Sequence, residues 1–192
     1  GNYIEDLSGK TTFTEKSAIN SVIIDSSNNL KESLQNLAFS MLLYSGQMCT
    51  SPQNIFIAEK GVKTPERTVS YPEVLDLLKQ EINSLIGHPQ IGVGTMANIQ
   101  SNKTIETIKN SINLKETKVL NAKSIENAKG QTSTPLIIET ISKNKNLIFE
   151  EHFGPIFKIV KTISIDESLS LAKQNAAENG AITFWLFVQM KN

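Results

Sequence analysis

The strongest constraint on how this chain can fold is a repeated alternation between short β-branched runs and stretches with helical period. Strand-type runs occur at 21–25 (SVIID), 54–58 (NIFIA), 117–121 (TKVLN), 135–139 (PLIIE), 155–162 and 181–188. Between them, apolar residues recur at three- and four-residue spacing: Leu30, Leu34, Leu37, Ala38 and Met41, then Val74, Leu77, Leu78, Ile82 and Leu85, then Ile105, Ile108 and Ile112, then Leu169, Ala172 and Ala176. Such alternation predicts an α/β fold with three layers, α/β/α, around an open and mostly parallel sheet.

Local punctuation refines the elements. Ser26 and Ser27 are placed to cap the first long helix, Ser45-Gly46 to end it, and Ser70–Glu73 and Ser164–Glu167 match the S-x-x-E capping box. The stretch 124–133 reads as a loop, and 181–188 as a closing, buried strand. With 192 residues, 39% of them hydrophobic, and no internal repeat or linker, one core and one domain, 1–192, are expected.

Nineteen basic residues balance nineteen acidic ones, so the chain has no net field for phosphate backbones or anionic membranes, and neither nucleic acid nor membrane is an expected partner. No apolar run approaches the ~20 residues that span a bilayer. The single cysteine cannot form an intrachain disulfide, which agrees with a reducing, cytoplasmic setting. The chain opens Gly1-Asn2 without Met, and reads as a fragment or an engineered polypeptide.

Cys49 is the residue with the most chemistry to offer. It sits in YSGQMCTSP, between the helix-ending Gly46 and the stiffening Pro52, where a thiol is displayed at an element boundary rather than packed in a core face. A lone cysteine is more often a small buried hydrophobe, so the setting carries the functional reading.

The segment LAFSMLLYSGQMCTSPQNIFI around Cys49 resembles the nucleophile segment of the aldehyde dehydrogenase superfamily, in which a Gly-Gln-x-Cys core precedes an apolar strand. Glu15, in FTEKSAIN, precedes Cys49 at an interval similar to that of the family's general base. Glu150-Glu151-His152-Phe153-Gly154-Pro155 resembles its E-E-x-F-G-P cofactor segment, and the three motifs stand in the family's order. Within the superfamily the chain most resembles the phenylacetic-acid-degradation (PaaN-type) aldehyde dehydrogenases. It departs from the family at the base: most members surround that glutamate with a Gly-Gly pair, whereas this chain reads Glu15-Lys16-Ser17-Ala18-Ile19-Asn20.

The resemblance implies a Rossmann-like catalytic domain, with the dinucleotide-binding domain absent from this chain. It implies NAD(P)-dependent oxidation of a small-molecule aldehyde, an aromatic catabolite being one candidate. Cys49 would be the nucleophile that forms a thiohemiacetal and then a thioester, and Glu15 the base that activates water. Glu151 would accept hydrogen bonds from the ribose of NAD or NADP, and Phe153 would pack against the ribose and nicotinamide. The Cys49 N–H is one candidate oxyanion donor. A homo-oligomeric full-length enzyme is implied as well, and the 192-residue chain alone is expected neither to hold the cofactor nor to turn over.

Three rival motifs are weaker. Gly92-Val93-Gly94-Thr95-Met96-Ala97 fits the phosphate-binding fingerprint but follows a helical stretch instead of a strand. A Cys-His hydrolase would have to recruit His88 or His152, and one cysteine with two distant histidines offers no metal set. Two readings stay open beside the leading one: a coenzyme A-acylating dehydrogenase, and a non-catalytic structural or assembly domain.

Overall fold

Apolar runs that are buried on both faces, without polar alternation, belong to central strands of a parallel sheet, and three runs here behave that way. The computed structural model describes residues 2–7, 11–12, 17–89, 91–127 and 130–189. In chain order the elements are α1 (Asn2–Glu5), β1 (Asn20–Ile24), α2 (Leu30–Leu42), a tight turn at Leu43–Gly46, β2 (Pro52–Ala58), the short ribbon β3 (Val62–Lys63) and β4 (Thr68–Val69), α3 (Tyr71–Gly87), α4 (Gly92–Thr95), α5 (Asn102–Ile112), β5 (Lys118–Leu120), the hairpin β6 (Ser124–Asn127) and β7 (Gly130–Ser133), β8 (Leu136–Ile141), α6 (Lys145–Ile148), β9 (Ile156–Thr162), α7 (Ile165–Asn179) and β10 (Phe184–Phe187).

Six strands form one sheet in the order β10-β1-β2-β9-β8-β5. Every pairing is parallel except that of β5 with β8. The period-two alternation of strand side chains divides the core. Val22, Ile24, Ile55, Ile57 and Ile159 point to one face and pack with Leu34, Leu37 and Met41 of α2 and Val74, Leu78 and Ile82 of α3. Ile23, Phe56 and Val160 point to the other, against Ile148 of α6 and Leu171 and Ala172 of α7. Helices on both faces of a largely parallel sheet are the expected α/β architecture.

The helix ends show what local signals do and do not decide. Ser164 caps α7, accepting from Glu167 N at 3.2 Å, while a Glu167 carboxylate oxygen accepts from Ile163 N at 2.7 Å, close to the expected box. At α3 the box is incomplete. Ser70 is the N-cap residue but its hydroxyl caps nothing, and Glu73 takes both guanidinium arms of Arg67, a fork that suits a carboxylate.

Two further expectations need correction. The stretch 124–133 is an antiparallel hairpin, because Gly130, at φ +139°, opens a backbone path that lets the two arms pair. The run at 181–188 is an exposed edge strand: β10 pairs with β1 alone, and Phe184, Trp185 and Leu186 remain 37–48% exposed. Apolar content makes a strand suited to burial, but only a covering layer buries it. Gly92–Thr95 forms a single helical turn after α3, so the phosphate-binding fingerprint lacks its strand.

Candidate active site

Three adjacent parallel strands bring their amino ends to one edge of the sheet. Ala18 leads into β1, Cys49 into β2, and Glu151 and Phe153 into β9. Register keeps these ends level, with Asn20 opposite Pro52 and Asn54 opposite Lys158. A cleft of about 500 Å³ opens there, lined by Ser17, Ala18, Gln47, Met48, Cys49, Gln53, Glu151 and Phe153. Its volume lies in the range of small-molecule and cofactor sites, roughly 300–1,000 Å³. Ligands in open α/β sheets usually sit at the carboxyl ends of the strands, and this cleft lies at the opposite edge.

The loop that carries Cys49 owes its shape to a left-handed turn. Tyr44, Ser45 and Gly46 have φ of 51°, 55° and 64°, and two of them carry a Cβ that disfavours this region. The surroundings hold the strained pair in place. Ser45 Oγ donates to Ala97 O at 2.8 Å and accepts from Ala97 N at 3.0 Å, and Gln47 Nε2 donates to Tyr44 O and Asn98 O while its Oε1 accepts from Gln100 N. Gly46 sits directly against the backbone of Gly154, so the two segments that line the cleft touch behind it.

Cys49 is exposed, and neither its thiol nor its N–H has a hydrogen-bond partner among the described residues. Its carbonyl is held by Asn20, whose Nδ2 donates to Cys49 O at 2.7 Å and Ser51 O at 3.0 Å. Asn20 Oδ1 accepts from Ile182 N and Thr183 N, both at 2.9 Å. One buried amide therefore joins β1, the thiol loop and the approach to β10. Replacing it by alanine strands two carbonyls and two N–H groups, and Asn20→Ala is expected to lower unfolding stability by about 3 kcal/mol in a urea titration. A loss under ~1 kcal/mol would show that water takes over these bonds.

Glu151 is half-buried. Its Oε1 accepts from Ala18 N at 3.2 Å, and Oε2 has no hydrogen bond among the described residues. Gln53 reinforces the same junction, donating to Ala18 O and accepting from His152 N, both at 3.0 Å. The Phe153 ring is 41% exposed at the cleft. His152 turns away and is buried, with Nδ1 3.1 Å from Glu150 O; burial, and then the charge of Lys158, hold its pKa below the ordinary histidine value. A buried imidazole outside the cleft lining does not make a Cys-His pair with Cys49.

The cleft thus unites Cys49, Glu151 and Phe153, three of the four residues singled out in the sequence. The fourth, Glu15, lies outside the described residues. Sequence reasoning missed Asn20 and Gln53, which hold the backbone beside the cleft. Their one signal was the presence of amide side chains at the start of strands that are otherwise apolar.

This geometry defines an α/β domain that displays a thiol, a carboxylate and an aromatic ring at the amino edge of its sheet. The sequence model of the aldehyde dehydrogenase family matches residues 2–183, and the chain belongs to that family. The crystal structure of an NAD-dependent aldehyde dehydrogenase from Burkholderia multivorans superposes with a TM-score of 0.86 at 32% identity, over 92% of this chain and 32% of that one. An NADP-dependent glyceraldehyde-3-phosphate dehydrogenase from Streptococcus equinus is 20% identical over 91% of this chain and 35% of its own length. A 1-pyrroline-5-carboxylate dehydrogenase from Bacillus subtilis (strain 168) is 26% identical, with 85% and 30% covered. The chain therefore spans about a third of the length of these curated relatives.

Proposed function

We propose that this chain supplies the nucleophile-bearing part of an NAD(P)-dependent aldehyde dehydrogenase, and that Cys49 forms the covalent bond to substrate. The observation that carries the reading is the exposed Cys49 sharing one cleft with Glu151 and Phe153. In this reading the Cys49 thiolate attacks the aldehyde carbon to give a thiohemiacetal, which is oxidised to a thioester and then hydrolysed. The Cys49 N–H, without an acceptor among the described residues, stands ready to stabilise the oxyanion. Glu15 is assigned as the base for deacylation on the family resemblance.

The cleft suits the nicotinamide half of the cofactor. A carboxylate oxygen without a donor among the described residues matches ribose hydroxyls, which need acceptors, and the exposed Phe153 ring offers a flat apolar surface to ribose and nicotinamide. When bound, NAD(P) accepts the hydride released as the thiohemiacetal becomes a thioester. The remaining cofactor contacts and the second oxyanion donor are assigned to a dinucleotide-binding domain outside this chain, and a homo-oligomeric whole enzyme goes with that reading. The substrate is assigned to aromatic-acid catabolism on the resemblance of 42–54 to the phenylacetic-acid-degradation enzymes. A cytoplasmic setting rests on the lone cysteine; in addition, no described helix is long and apolar enough to cross a membrane.

A disulfide reagent tests the central assignment without any cofactor. In the folded chain Cys49 is expected to react faster than a model thiol at neutral pH. A rate at or below that of the model thiol overturns the nucleophile assignment and favours a structural domain. The 192-residue chain by itself is expected to produce no steady-state NADH.

A further inference from the structure

Lys158 is a lysine with no exposed surface in the middle of a sheet. It lies on β9 between Asn54 of β2 and Ile138 of β8, on the face covered by α6 and α7. Lysine is almost never fully buried without partners, so what its amino group touches is informative. Lys158 Nζ donates to Glu150 O at 2.6 Å and to Leu147 O at 3.1 Å. These carbonyls belong to the end of α6 and to the residue just before Glu151.

The flanking side chains grip the same stretch. Asn54 Nδ2 donates to Ile148 O at 2.9 Å, Gln53 Oε1 accepts from His152 N, and the Glu151 carboxylate closes on Ala18 N. Asn54 Oδ1, on the register partner of Lys158, is buried without a hydrogen bond among the described residues. The backbone from Leu147 to His152 is thus fastened from beneath by consecutive polar residues of the strand that follows Cys49, and by one lysine amino group.

We infer that Lys158 is a positioning residue: its two bonds to the carbonyls of Leu147 and Glu150 set where Glu151 and Phe153 stand at the cleft. The inference takes from the proposed function only what that segment is positioned for. The titratable groups that face Lys158 are Glu150, Glu151 and His152, all on the loop after α6, while β2, β8 and α6 present Asn54, Ile138 and Leu147. Burial pushes the Lys158 pKa down to about 7, against the opposing pull of Glu150 and Glu151. An opening of the segment that hydrates Lys158 must then take up a proton between pH 7 and the ordinary lysine range. Opening becomes harder as pH rises through that window, by up to about tenfold per pH unit.

Amide hydrogen exchange of the 192-residue chain, with neither cofactor nor aldehyde present, reads this directly. The reporters are Ala18 N, bonded to Glu151 Oε1, His152 N, bonded to Gln53, and Phe149 N, bonded to Lys145 O. After correction for intrinsic exchange, their protection is expected to rise at least tenfold from pH 7 to pH 9, above the depressed titration of His152. In Lys158→Met it is expected to be flat with pH, and at pH 9 at least tenfold below wild type, while Ile57 and Ile159 in the core stay more strongly protected. Flat wild-type protection, or a loss in the variant spread evenly over β2 and β9, overturns the inference. The wild-type profile decides even if the variant fails to fold. Because no turnover is read, a failed dehydrogenase assignment and a failed positioning role give different results.

Discussion

A Cys49→Ala chain is expected to keep its fold and lose covalent chemistry entirely. The side chain is exposed and its thiol makes no hydrogen bond among the described residues, so alanine leaves no cavity and strands no partner. Thermal unfolding should shift by no more than about 1 °C. Aldehyde oxidation, measured in an enzyme that carries this domain, should fall by about 10⁶-fold, the scale on which a hydrolase suffers when its nucleophile is removed. An activity within tenfold of wild type would mean that another group forms the bond, and the reading of the cleft would fail.

The second large effect is expected at Gly46. Its φ of +64° lies where only glycine is at ease, and a Cβ there would stand 2.4 Å from Gly154 O and 2.9 Å from Gly154 C. Neither atom is the yielding end of a side chain, so Gly46→Ala must push the Cys49 loop away from the Phe153-Gly154-Pro155 turn. Left-handed strain of about 1–2 kcal/mol and the displaced backbone together predict a stability loss of roughly 3 kcal/mol in urea unfolding. Since the cleft lies between the displaced segments, activity should fall about a hundredfold as well. A variant as stable as wild type would show that the two segments slide without cost and that their contact does not set the site.

The fold was legible in the sequence where a rule is local. The helical period at Leu34, Leu37, Ala38 and Met41 fixes which face of α2 is buried, and the apolar runs at 21–25 and 54–58 read as strands, where β1 and β2 form. Ser164 and Glu167 cap α7 because all their partners lie within one turn. Ser70 and Glu73 look the same in sequence, yet Arg67 comes close enough to take the carboxylate. The hairpin at 124–133 was missed because its pairing rests on a glycine at positive φ that no period announces.

The site was legible as residue types and not as a structure. Cys49, Glu151 and Phe153 stood out through motifs, whereas Asn20, Gln53 and Lys158 carry no motif. In sequence Lys158 is one polar residue of the strand-type run 155–162, with nothing to mark its side chain as buried. The structure puts β9 between β2 and β8 under α6 and α7, and the same lysine becomes a buried clamp. In β10 the error ran the other way, as an apolar run read as interior lies exposed on the edge.

By itself the sequence determined the elements, their apolar faces and the chemical groups available, because each depends on neighbours within a turn or a pleat. Tertiary structure alone decided that the amino ends of β1, β2 and β9 lie level, that Gly46 meets Gly154, and that the lysine of β9 grips the segment carrying Glu151. Those outcomes depend on strand order, which joins residues a hundred positions apart and leaves no trace in any local pattern.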